Sequence, residues 1–224
     1  MELVLETSNL EKTYKNFKAL SHLNIHVEKG SIYGLIGRNG AGKTTLIRIL
    51  CGLQQPTSGT YTIYGIKNTE KNKPLSRIGA IIETPSIYQN MSAKENLIQQ
   101  ALLIGTVNLS EIDELLELVG LQNTGKKKVK NFSLGMRQRL GIAIALAGNP
   151  DLLILDEPIN GLDPQGIIEM RELILNLNKK RKITILVSSH YLDELSKIAT
   201  HYGFMDHGHI LKEISSEELS KKMQ

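Results

Sequence analysis

Residues Gly37-Arg38-Asn39-Gly40-Ala41-Gly42-Lys43-Thr44 place glycines at three positions ahead of a lysine and a hydroxyl side chain. This complete G-x-x-x-x-G-K-[ST] spacing is suited to polyphosphate capture. Glycine lets the main chain curl so that successive N–H groups converge on an anion, and a helix beginning at the lysine adds its positive end. Lys43 then neutralises the outer phosphates, the Thr44 hydroxyl is placed to ligate Mg²⁺, and Thr45 follows beside it. A second pair, Asp156-Glu157, directly follows the apolar run Leu152-Leu153-Ile154-Leu155. The carboxyl end of a buried parallel strand is where ligands collect in open α/β sheets. Asp156 there becomes a metal carboxylate, and Glu157, on the opposite face of a continuing strand, is free to accept a proton from an attacking water. Alone, each motif has a plain alternative, a glycine turn with an incidental lysine or a strand ending in solvated acids. Together they describe a nucleoside triphosphate and its Mg²⁺, because such enzymes need a strand-end carboxylate for the metal.

The elements that must position these residues are legible around them. Residues 31–36 form an apolar run that enters the glycine turn, and a helix is expected from about 43 to 53, giving a strand–loop–helix unit. Runs 152–155 and 183–187 are continuously apolar, as strands covered by helices on both faces require. Segments 3–7, 24–27 and 59–64 alternate instead, which predicts an antiparallel sheet beside the parallel one. From 92 to 148 helical spacing takes over: Ala93, Leu97, Ala101 and Ile104, then Ile112, Leu115, Leu116 and Val119, then Leu140, Ile144 and Ala147. The expected organisation is one α/β domain over 1–224. Residues 1–83 and 151–224 would build the core with its antiparallel β-subdomain, 84–150 an inserted all-helical subdomain, and 215–223 a short amphipathic tail helix.

Composition narrows the rest. No run among the 224 residues approaches the roughly 20 apolar residues of a membrane helix, and the start, with Glu2 and Glu6 among alternating apolar residues, lacks the pattern of a secretory signal. A cytoplasmic protein is expected. A net charge of +4 is too small to demand nucleic acid, and much of it lies in 126–130 and 179–182, which read as solvated loops and helix ends. The single cysteine, Cys51, excludes a disulfide framework and reads as a small buried residue on a helix.

With these motifs in this order, the chain resembles the ABC ATPase family over essentially its whole length. Phe132-Ser133-Leu134-Gly135-Met136-Arg137-Gln138-Arg139-Leu140 looks like a variant of the family signature, with Leu134 and Met136 at positions where Gly and Gln are commonest. The resemblance implies a P-loop NTPase fold and an ATP-hydrolysing subunit whose ATP is sandwiched between two copies, Ser133 and Gly135 of one contacting the γ-phosphate held by the other. Ser133 is also a good N-cap, which would aim a positive helix end outward. Asn160-Gly161-Leu162-Asp163 resembles the loop that links the two sites through Asp163, and His190 resembles the histidine that touches the γ-phosphate. Leu10-x-Lys12-x-Tyr14 resembles the segment whose aromatic ring stacks on adenine. Separate membrane-spanning permease subunits are implied, and with them a place on the inner face of the cell membrane.

Glu83, in Ile81-Ile82-Glu83-Thr84-Pro85, stands where most members carry glutamine. An ionised glutamate either binds Mg²⁺ more strongly or stays off the metal until ATP and a partner arrive. This residue, with Gly-Arg-Asn-Gly in the loop and Ser-Leu-Gly-Met-Arg in the signature, resembles the branch of exporters that protect bacteria against lantibiotics, bacitracin and related peptides. The alternative, a non-transport family member acting on ribosomes or nucleic acid, is expected to carry a long coiled coil or a second cassette, and the sequence has neither.

Overall fold

Successive side chains on a strand point to opposite faces, and in this protein that alternation divides the core in two. In β8 (Leu152–Asp156), Leu152 and Ile154 join one buried cluster while Leu153 and Leu155 join the other. β9 (Thr184–Ser189) does the same with Leu186 against Ile185 and Val187, and β4 (Ile32–Ile36) with Tyr33 and Leu35 against Ile32 and Ile36. Each fully buried Leu or Ile contributes about 1.5–3 kcal/mol over an exposed one, so the two-sided cover fixes the register of all three strands. The computed structural model describes residues 2–70, 75–105 and 108–222.

These strands sit in a sheet ordered β11 (His209–Ser215), β10 (His201–Asp206), β4, β9, β8 and β7 (Ile78–Ile81), parallel except for the β10–β11 hairpin. One face is covered by α1 (Lys43–Leu50) and by an antiparallel sheet in which β1 (Leu3–Tyr14) pairs with β2 (Phe17–Leu23), β3 (His26–Glu28) and β5 (Ser58–Ile63), and β5 with β6 (Ile66–Lys67). The other face carries α5 (Pro164–Arg181) through Met170, Leu173, Ile174 and Leu177, and the helices inserted between β7 and β8. The fold is that of a P-loop NTPase with an antiparallel β-layer and an inserted helical block.

The inserted helices are α2 (Ala93–Ile104), α3 (Leu109–Leu118) and α4 (Leu134–Leu146). Ser92 caps α2 in a reciprocal box with Glu95, and Gly105 ends it in the left-handed conformation. Leu97, Ile112, Leu115, Leu116 and Leu140 turn into the second core as their spacing requires, whereas Ile104, at the last turn of α2, remains 40% exposed. α4 reaches β7 closely because Gly79 has no side chain: a Cβ there would lie 2.3 Å from the Ala145 carbonyl oxygen.

The remaining short elements are α6 (Leu192–Leu195) and α7 (Ser216–Lys222). The expected tail helix is present, residue 223 lying outside the described residues. The helix expected over 43–53 ends at Leu50, because Gly52 turns left-handed at φ 74° and Cys51 closes the last turn on Ile47. The full length of β1, and the β10–β11 hairpin, were not legible as strands. No helix among the described residues is long and apolar enough to cross a membrane.

Candidate functional site

The turn between β4 and α1 is shaped by its crowding. Gly42 adopts φ 108°, and a Cβ there would sit 2.6 Å from the Ala19 carbonyl oxygen, so only glycine fits. The Gly37 N–H donates to Ser189 O at 3.2 Å and the Ala41 N–H to Arg38 O at 3.1 Å, pinning the curl to β9 and to itself. Asn39, Gly40, Gly42, Lys43, Thr44 and Thr45 line a cavity of about 280 Å³ that Glu157 closes at one side. Lys43 is buried, and its Nζ donates to Gly37 O at 2.6 Å and lies 3.2 Å from Glu157 Oε1.

Both strand-end carboxylates reach this loop. The even-numbered face of β8 points toward α1, so Asp156 is 3% exposed and accepts from Thr44 Oγ1 at 2.8 Å. Its other oxygen accepts from Ser188 Oγ at 2.6 Å, and the same hydroxyl accepts from the Glu157 N–H at 3.0 Å. Glu157 does not continue the strand: at φ 50° it turns left-handed, and this backbone, rather than strand alternation, brings its carboxylate back over the loop. Glu157 Oε2 meets His190 Nδ1 at 2.9 Å, while Oε1 is buried and accepts no hydrogen bond among the described residues.

Thr44 and Asp156 present hard oxygen donors beside Lys43. Among the described residues no group of three or more His, Cys, Asp or Glu side chains forms a metal cage. The Thr44–Asp156 pair suits Mg²⁺, which takes one or two protein ligands and completes its shell with water and phosphate oxygens.

Other expected residues lie outside the cavity lining. Glu83, with φ 62°, pairs with Arg48 Nη2 at 2.7 Å and is not on Asp156 or Thr44. Ser133 caps α4, accepting from the Met136 N–H at 3.2 Å, and Asp163 caps α5, accepting from the Gly166 N–H at 3.2 Å. These two helix starts adjoin each other: a Cβ on Gly161 would be 3.2 Å from Leu134 Cδ2, and one on Gly135 3.7 Å from Leu162 Cδ2. Tyr14 ends β1 with its hydroxyl on Gln54, and it pairs across the hairpin with Phe17, which lines the cavity and is 62% exposed.

Three contributors were missed. Phe17 has only its position in a hairpin to mark it, and Ser188 and Arg48 look like ordinary strand and helix residues until the chain brings their partners from 32 and 35 residues away. Cys51, expected as a small buried residue on the helix, instead caps the end of α1 just past Leu50 and is partly buried; that burial, helped by the charge of Asp156, pushes its thiol up to about 12.

A protein-family model described as "ABC transporter" matches residues 20–160. The bacitracin transport ATP-binding protein BcrA of Bacillus licheniformis is 53% identical over 224 residues, covering 99% of this chain and 73% of that protein. The lantibiotic transport ATP-binding protein SrtF of Streptococcus pyogenes is 47% identical over 210 residues, covering 94% of this chain and 90% of that protein. A solved dimeric, post-hydrolysis ATP-binding cassette, MJ0796, bound to ADP and Pi superposes with a TM-score of 0.83 at 25% identity, covering 95% of this chain and 98% of that one.

Proposed function

Since the chain belongs to the ABC transporter family, as an ATP-binding subunit that hydrolyses ATP, we propose that it drives export of peptide antibiotics of the bacitracin or lantibiotic type. The observation that carries the ATPase chemistry is the convergence of Thr44 on Asp156 and of Lys43 on Glu157 at one glycine-rich turn. The transport names of BcrA and SrtF, at 53% and 47% identity, support the cargo class.

On nucleotide binding, Lys43 exchanges the Gly37 and Arg38 carbonyls and Glu157 for phosphate oxygens, and the loop N–H groups close around the same anion. Thr44 and Asp156 hold Mg²⁺, which when bound neutralises charge on the outer phosphates. Ser188 keeps Asp156 aimed at Thr44 by occupying its second oxygen. Once Lys43 has turned to the phosphates, Oε1 of Glu157 accepts a proton from the water that attacks the γ-phosphate, while His190 holds Oε2 and orients the carboxylate. The bond to the leaving diphosphate oxygen breaks as the water oxygen bonds phosphorus. Tyr14 and Phe17, on one face of the β1–β2 hairpin, supply aromatic surface for the base.

Two copies complete the site. Ser133 and Gly135 stand at the start of α4, outside the lining of the same chain's phosphate-loop cavity, and a second copy's triphosphate is the ligand for which a helix start is suited. MJ0796, the solved dimeric relative, supports this arrangement. In this reading separate permease subunits dock near residues 83–97, beside the groove that Thr84, Pro85 and Ser86 help to line, and the protein works from the inner face of the cell membrane. The test is to produce the chain with a candidate permease in a sensitive bacterium. Raised tolerance of bacitracin or a lantibiotic, lost with Glu157→Gln, is expected. Unchanged tolerance, or co-purification with ribosomes in place of a membrane protein, would overturn the transport reading.

A further inference from the structure

We propose that Arg48 is a positioning residue of the nucleotide site: its guanidinium parks the Glu83 carboxylate one helical turn from the metal ligands and releases it when Mg²⁺ and nucleotide arrive. The inference rests on the nucleotide-site reading above and deepens it.

Thr44 and Arg48 stand four residues apart on α1, so their side chains occupy one helix face with Cβ atoms roughly 5–6 Å apart. Thr44 on that face is bound to Asp156 at 2.8 Å, and Arg48, one turn further, is bound to Glu83 at 2.7 Å. Glu83 is therefore displaced along α1 from the metal ligands rather than turned away from them. Its backbone, at φ 62° just beyond the end of β7, directs it to α1, and among the described residues Arg48 is its sole hydrogen-bonding or charged partner.

Charge decides why a guanidinium stands there. A second carboxylate beside Asp156 and a triphosphate is repelled unless a cation accompanies it. Arg48 is that cation before metal binding, and Mg²⁺ can take its place afterwards. Because the two side chains are 37% and 60% exposed, the pair is weak enough to be traded. The loop that carries Glu83 continues as Thr84-Pro85-Ser86, which lines the apolar groove. A glutamine at 83 could not make this charge exchange.

The experiment follows binding of a fluorescent N-methylanthraniloyl ATP to the full chain as Mg²⁺ is titrated, with no turnover measured. Arg48→Met should lower the Mg²⁺ concentration at half-saturation about threefold, the scale of one exposed ion pair. In a Glu83→Gln background the same substitution should change nothing, and Arg48→Lys, which keeps the charge, should hold the wild-type requirement. No shift with Arg48→Met, an equal shift in both backgrounds, or a full shift with Arg48→Lys would overturn the proposal. If the unaltered chain binds no fluorescent nucleotide at any Mg²⁺ concentration, the nucleotide-site reading falls and this inference with it.

Discussion

Glu157 Oε1 lies 3.2 Å from Lys43 Nζ, yet it accepts no hydrogen bond there or from any other described residue. The lysine also donates to the main-chain carbonyls of Gly37 and Arg38. The carboxylate thus fills the cation's neighbourhood as an internal anion, and its Oε1 becomes available to take a proton once phosphate replaces it beside the lysine. Replacing it with a neutral amide should have opposite effects on binding and on chemistry. Glu157→Gln is expected to keep or tighten ATP affinity, measured by calorimetry, and to lower steady-state turnover about 10²–10⁴-fold. Turnover within a few-fold of the unaltered chain would remove Glu157 as the base.

Ser188 is fully buried and joins the two carboxylates, donating to Asp156 and accepting from the Glu157 N–H. Ser188→Ala leaves both groups short of a partner, at a cost of about 1–3 kcal/mol. Denaturant unfolding should show that loss, and binding of Mg²⁺–ATP should need more Mg²⁺ because Asp156 is no longer held toward Thr44. Unfolding at the same midpoint as the unaltered chain would deny Ser188 this role.

Gly135 offers a way to separate the fold from the dimer. A Cβ there would meet only Leu162 Cδ2, at an ordinary 3.7 Å, and alanine favours a helix by up to ~1 kcal/mol over glycine. Gly135→Ala should therefore leave the monomer's melting temperature equal or higher. If a second copy's triphosphate approaches this helix start, the added methyl should weaken ATP-dependent dimerisation about 10-fold, as overpacking a tight contact does. Light scattering that finds undiminished dimers would place the contact elsewhere.

Tyr14 and Phe17 face one another across the hairpin, but Phe17 alone of the two lines the cavity. Stacking on a base is worth about 1–3 kcal/mol. Phe17→Ala should weaken ATP binding by about 10-fold, Tyr14→Ala should weaken it too, and inorganic tripolyphosphate, having no base, should bind all three proteins alike. Equal losses for ATP and tripolyphosphate would show that the rings support the loop instead.

Alkaline pH should unfold the protein progressively. Burial pushes Cys51 up to about 12 from its ordinary 9.0 and Tyr64 up to about 12 from 10.0, and it raises Tyr33, Tyr61 and Tyr202 as well. These groups lose their protons more readily in the unfolded chain. Their contribution to stability is complete below about pH 9 and is lost as pH climbs through 9 to 12. Thermal melts from pH 7 to 11 should fall above 9, and Cys51 should resist thiol reagents at pH 8 until the chain unfolds. A melting temperature flat to pH 11 would contradict this.

The sequence by itself determined whatever depends on neighbours along the chain. The glycine spacing around Lys43, the apolar run before Asp156 and the Ser133 cap are local signals, and each specifies a turn, a buried strand or a helix start within a few residues. Tertiary structure alone decided which of these meet. The left-handed turn at Glu157 returned its carboxylate to Lys43, contrary to what strand alternation implies, and the fold chose Arg48 as the partner of Glu83 and Ser188 as the partner of Asp156. The reason is physical: a helix or strand is encoded by periodicity within a single segment, whereas an ion pair or buried hydrogen bond between segments more than 30 residues apart exists only once both are packed in place.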